Sequence, residues 1–178
     1  MIRFIPGKDY NALTYGSPGI PREILTDAKV AVPEIFSTAS HDYVETKALW
    51  DTGATHSVIS AELAQRLGLP AIGKAETLGI HGSQTVDIYS VDILLMDRVR
   101  FTRWRVSSGL TGPTNPGLII GMDIITKGDF ALTKRRGGCV FSFVIPSSES
   151  TVDYVEAVKN HVADLKRMQR PSTVTRPA

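Results

Sequence analysis

Asp51, Thr52 and Gly53 follow the apolar run Ala48-Leu49-Trp50 and lead into Ala54 and Thr55. This order sets a carboxylate at the end of a strand, then a small hydroxyl, then a residue free to turn sharply. In a catalytic site each type has a use. Asp51 can accept or deliver a proton, Thr52 can fix the loop through its hydroxyl, and Gly53 lets the backbone approach a substrate closely. The triplet also suits an ordinary tight turn, so its surroundings must decide. The other reactive residue types offer less. The single Cys139 can neither pair within the chain nor supply a structural zinc site, and it reads as a small buried hydrophobe. His56 and His81 read as exposed loop histidines. Arg98, Arg100, Arg103 and Arg105 interleave with Phe101 and Trp104, a pattern that could stack on single-stranded nucleic acid, although a solvated strand face is the simpler reading.

The elements around Asp51 are mostly strands. Residues 1–26 are rich in Gly and Pro without a clear period, which predicts an irregular arm. Val30 and Val32 alternate with charged or small neighbours, and Val44, Thr46, Ala48 and Trp50 line one face of a second strand, so an antiparallel pair should run into the 51–53 turn. Ser60 is placed to cap a short helix over 61–67, ended by Gly68 and Pro70. Residues 74–95 have the form of a long hairpin with its tip at Ile80-His81-Gly82-Ser83. In 98–106 the apolar phase changes between Phe101 and Trp104, which predicts a bulge near Thr102. A loop over 113–116, a buried run at 118–120 and a strand pair over 130–132 and 139–145 complete the core. Beyond Pro146, Val152, Val155, Val158, Val162, Leu165 and Met168 recur at helical spacing, with Ser150 and Asp153 resembling a capping box. The expected division is an extension over 1–26, a core domain over 27–146, an amphipathic helix over 147–170 and a disordered tail over 171–178.

The 178 residues are 42% apolar and 21% charged, which suits one compact soluble domain and excludes a disordered chain. Charges and glycines break any signal-peptide core near the start, and no apolar run approaches the roughly 20 residues of a membrane span, so a cytoplasmic location is the expectation. The net charge of +2 is uneven. Residues 159–178 carry five basic side chains against Asp164, or +4, which leaves −2 for the rest.

Three segments together resemble the retropepsin family of aspartic proteases, the single-domain group that includes the retroviral enzymes. They are Asp51-Thr52-Gly53-Ala54 after an apolar strand, Leu78-Gly79-Ile80-His81-Gly82-Ser83 in the place of the family's flap, and Leu118-Ile119-Ile120-Gly121-Met122-Asp123 in the place of its second signature. The resemblance covers residues 27–146. It implies an all-β, retropepsin-like closed β-barrel with one short internal helix and an added C-terminal helix. It assigns catalysis to Asp51, Thr52 and Gly53, substrate contacts to Ala54, Thr55, Gly79, Ile80, His81 and Gly82, and support of the catalytic turn to Ile119, Ile120 and Gly121.

The resemblance also implies a partner. The family's chemistry uses two carboxylates about 3 Å apart sharing a proton, because like charges that close cannot both ionise. The chain holds one such motif, and Asp97, Asp123 and Asp129 lack its context, so the second carboxylate is expected to be Asp51 of an identical chain in an isologous homodimer. No metal or other cofactor is called for, and the substrate would be a protein or peptide; neither nucleic acid nor membrane is expected as a partner. Thr55 and His56 stand where retroviral members carry acidic residues, and Met122 where they carry an arginine, so the viral interchain ion pairs are absent. The competing readings are a silent retropepsin-fold module for dimerisation or peptide binding and, less favoured, a nucleic-acid-binding barrel.

Overall fold

Trp50 and its neighbours show how alternation becomes packing. In the computed structural model, which describes residues 4–36, 42–79, 82–109 and 116–168, strands β2 (Ile24–Ala31) and β3 (Val44–Trp50) pair antiparallel. Their alternation buries Thr26, Ala28 and Val30 on one and Ala48 and Trp50 on the other. The Trp50 indole N–H donates to Thr26 Oγ1 at 3.0 Å, so its polar edge is satisfied inside the core. After the 51–57 turn come β4 (Val58–Ser60) and helix α1 (Ala61–Arg66). The Ser60 hydroxyl accepts the Leu63 N–H at 2.9 Å, the expected cap.

The long hairpin consists of β5 (Gly73–Gly79) and β6 (Gly82–Leu95), ending on the pair Gly79 and Gly82. Ile80 and His81 lie outside the described residues, as do loop residues 113–115 and the tail from 171. Strand β6 continues into β7 (Val99–Gly109), then β8 (Leu118–Ile120), helix α2 (Met122–Ile125), β9 (Asp129–Arg135), β10 (Gly138–Ile145) and helix α3 (Tyr154–Met168). Between β6 and β7 the register moves from Val91 opposite Trp104 to Ile93 opposite Phe101, which places the anticipated bulge at Thr102 and Arg103.

One sheet runs β2-β3-β8-β4-β7-β6-β5, and β2 also pairs with β6. That pairing closes six strands into a ring and leaves β5 outside it, so the all-β barrel stands as expected. Val30, Ala48, Ile59, Val91, Ile93, Leu95, Val99, Leu118 and Ile120 are fully buried within its core, each Val, Leu or Ile side chain contributing about 1.5–3 kcal/mol by leaving water. A second sheet, β1-β10-β9, packs Phe141 and Phe143 on Trp50, with ring centroids 4.8 and 5.0 Å away.

Three expectations are corrected. The N-terminal segment is not an irregular arm. Asn11–Pro18 forms β1, pairs along its whole length with β10 and buries Leu13, and β2 already begins at Ile24. Its Pro18 is tolerated because β1 is an edge strand. A second internal helix, α2, follows Gly121. The C-terminal helix is capped by Asp153 rather than Ser150, since the Asp153 carboxylate accepts the Val155 and Glu156 N–H groups at 2.9 and 3.0 Å. Every α3 side chain is exposed, Val158 to 60%, so its apolar stripe does not pack on its own chain. Cys139 is half-buried in β10.

Asp129 ties the chain after β10 back to β9. Ser147 Oγ donates to one carboxylate oxygen at 2.5 Å, and the Ser148 hydroxyl and N–H donate to the other at 2.5 and 2.9 Å. Partial burial pushes this carboxyl upward, but the three donors outweigh it and hold the group below the ordinary 3.8. A lowered folded-state value means that the stabilisation is present above the unfolded value and is lost as pH falls through the folded one. Urea melts of wild type and Asp129→Asn should therefore differ in midpoint at pH 6 and converge as pH falls below about 4.

Candidate active site

The strands before and after the 51–57 turn flank the same neighbour. β8 runs parallel to β3, with Trp50 opposite Ile120, and antiparallel to β4, with Val58 opposite Ile119. The turn must therefore cross the end of β8 where Gly121 emerges. Asp51 N–H donates to the Ile120 carbonyl at 2.9 Å, Met122 N–H to the Ala54 carbonyl at 2.8 Å, and Asp123 N–H to the Thr55 carbonyl at 3.2 Å. At Gly121 a Cβ would lie 2.6 Å from the His56 carbonyl carbon and 2.9 Å from the Ala54 oxygen. Glycine is required here by the close approach of two backbones, since its φ of −92° is open to any residue.

Side chains fasten the crossing. The buried Ser57 hydroxyl donates to Asp123 Oδ1 at 2.7 Å and accepts the Gly121 N–H at 3.1 Å, using both of its capacities. The other Asp123 oxygen accepts the Trp104 indole N–H at 3.0 Å, and Oδ1 also takes the Ile124 N–H. Asp123 thus holds β7, the turn and α2 together. Sequence reasoning set it aside for lacking a Thr-Gly sequel and passed over Ser57. The available signal was a polar pair beside two glycine turns, but only the fold brings positions 57 and 123 into contact.

The residues expected to do chemistry lie on this clamped turn. Asp51 is half-buried, and its Oδ1 accepts the Gly53 N–H at 2.8 Å. That bond closes the turn. Thr52 and Gly53 are exposed in the single chain. Gly53, Ala54, Thr55 and His56 line a groove of about 760 Å³ whose other sides include Ala75, Glu76, Thr77, Val86 and Ile88 of the hairpin and Arg103 to Ser107 of β7. Gly79 and Gly82 stand at the end of that hairpin, Gly82 with φ +99°. Ile119 is half-buried, while Ile120 and Gly121 are buried beneath the turn. Of the two rings in the 98–105 segment, Phe101 is buried and Trp104 is half-buried with its indole N–H held by Asp123. Among the described residues, no three His, Cys, Asp or Glu side chains gather as a metal-binding group, and no helix is long and apolar enough to cross a membrane.

A family profile described as aspartyl protease matches residues 37–124. The chain is also similar to a solved retropepsin-like aspartic protease from Rickettsia conorii, at 13% identity over 80% of this chain and 98% of that one, with a TM-score of 0.48. A second similar structure, the retroviral protease-like domain of Ddi1 from Leishmania major, shares 16% identity over 66% of this chain and 93% of that one, with a TM-score of 0.37. No curated protein matches. The family profile spans the Asp51-Thr52-Gly53 motif, the hairpin and the second signature, and on that match the retropepsin-like resemblance of these segments stands.

Removing the Ser57 hydroxyl strands the Gly121 N–H and takes one donor from Asp123. Ser57→Ala should lower stability by about 1–3 kcal/mol in denaturant melts, and a change below about 0.5 kcal/mol would show that the crossing does not depend on it.

Proposed function

We propose that this chain, whose residues 37–124 match the aspartyl protease family, is one half of an aspartic endopeptidase. A homodimer brings two Asp51 carboxylates together on a two-fold axis. The ionised one acts as general base on a water held between the chains, and the protonated one hydrogen-bonds the scissile carbonyl. Attack gives a tetrahedral gem-diol. Its collapse, with proton transfer to the amide nitrogen, releases the two peptides.

One observation carries the reading. Asp51, with Gly53 bonded to its carboxylate at 2.8 Å, sits on a turn fastened to its own β8 and Gly121, and that turn borders a groove large enough for an extended peptide. A clamped turn limits the motion of the carboxylate and so lowers the cost of meeting a second one. Exposure of Thr52 and Gly53 in the single chain suits a surface that a second copy covers. The substrate backbone would pair with Gly53 below and with the hairpin near Gly79 and Gly82 above, leaving alternate side chains to fill the groove. Closing of the hairpin would exclude water from the carboxylates. Asp123 is a positioning residue in this scheme, since its three hydrogen bonds are made within the chain.

The test is cleavage of a diverse peptide pool at acidic and neutral pH by wild type and Asp51→Asn, with oligomeric state followed in parallel. Wild type should cleave best on the acidic side, where the pair holds one proton, and its activity per chain should fall on dilution. Asp51→Asn should be at background. A wild-type dimer that cleaves no better than the variant would identify a silent module of this fold.

A further inference from the structure

The β7 bulge changes what the groove displays. Val99 and Phe101 are buried in one phase of the strand, and Val106 is buried in the other. Without an extra residue between them, Arg103 and Arg105 would continue the phase of Val99 and Phe101 toward the core. Thr102 and Arg103 together oppose the single residue Asp92, and the phase reverses. Arg103 takes φ +51°, a conformation that disfavours a non-glycine residue. Its N–H donates to Asp92 Oδ1 at 2.6 Å, and Asp92 is only 7% exposed. A buried carboxylate on β6 therefore holds a strained backbone position on β7. The result is two exposed arginines on the wall of the groove beside the catalytic turn. Bulges that re-aim side chains are concentrated next to active sites.

The groove's charges are unequal. Arg103 and Arg105 share the groove's lining with Glu76 of the hairpin arm, while the carboxylate of Asp123 is engaged by Ser57, Trp104 and Ile124. Among the described residues no ion pair within 4.0 Å engages either arginine or Glu76. Guanidinium groups meet carboxylates through a matched fork of donors, and partial enclosure weakens solvent screening. We infer that Arg103 and Arg105 are specificity-determining residues and that the groove selects peptides carrying Asp or Glu near the scissile bond, on both sides of it because the two-fold axis repeats the β7 wall. This deepens the proposed proteolytic function and rests on it for the word substrate, but the binding preference is testable without turnover.

Two measurements are needed, both on the full chain. In the first, peptides sharing one cleavable core carry Glu, Gln or Lys at each flanking position in turn, and kcat/KM is measured for wild type, Arg103→Gln/Arg105→Gln and Arg103→Glu/Arg105→Glu. Wild type should favour Glu over Lys about 10-fold at one or two positions on each side. The Gln pair should flatten the preference and the Glu pair should invert it. In the second, binding of the same labelled peptides to Asp51→Asn, with and without the arginine changes, is followed by fluorescence anisotropy, and Glu76→Gln should raise the acidic preference. Far-UV spectra and melts check that each variant folds. Cleavage or binding that is indifferent to peptide charge, or a preference unmoved by the arginine changes, overturns the inference. An arginine-dependent acidic preference in binding without any cleavage upholds it and removes the proteolytic reading.

Discussion

The backbone of Gly121 lies so close to the chain at His56 that no side chain can stand between them. This contact fixes where the 51–57 turn crosses the end of β8, and the other features of the site follow from it. Asp51 is held because its N–H reaches Ile120, the residue before that glycine. Ser57 is buried because its hydroxyl must serve Gly121 on one side and Asp123 on the other. A close backbone crossing alone would leave polar groups stranded in a dry interior, where each costs about 1–3 kcal/mol. The Ser57 and Asp123 pair removes that penalty and makes the approach permanent.

The barrel supplies the frame for this crossing. Pairing of β2 with β6 closes the ring, so the strands that carry Asp51 and Gly121 cannot slide relative to each other without breaking the ladder on both sides. The bulge in β7 belongs to the same economy of strain. It stores an unfavourable backbone angle at Arg103 and offsets it with a hydrogen bond to a buried carboxylate. Trp104, the next residue, then reaches Asp123, so the wall of the groove and the clamp of the turn are coupled through neighbouring positions of one strand.

Local features were legible in the sequence. The Ser60 cap, the hairpin over β5 and β6, the phase change at Thr102 and the run into Asp51 are set by periods of two and by residues a few positions apart. What required the structure was long-range. Asn11–Pro18 shows few apolar residues and carries Gly16 and Pro18, and it becomes a strand because β10, far along the chain, offers an edge. Ser57 and Asp123 look unremarkable singly and meet only through the β8 crossing. Helix α3 was readable as a helix, yet its apolar stripe gave no hint that it would stand away from its own chain. Thr52 was legible as part of the motif, while its exposure depends on what a single chain leaves uncovered.

In the proposed enzyme each chain holds half of the reacting groups. Mixing subunits tests this most directly. Wild type held at constant amount, with Asp51→Asn added in increasing excess and allowed to re-equilibrate, should lose activity as inactive mixed dimers form. The active fraction should follow the square of the wild-type fraction. Activity that stays constant as the variant is added, with mixed dimers demonstrably present, would show that one Asp51 suffices and would contradict the shared site.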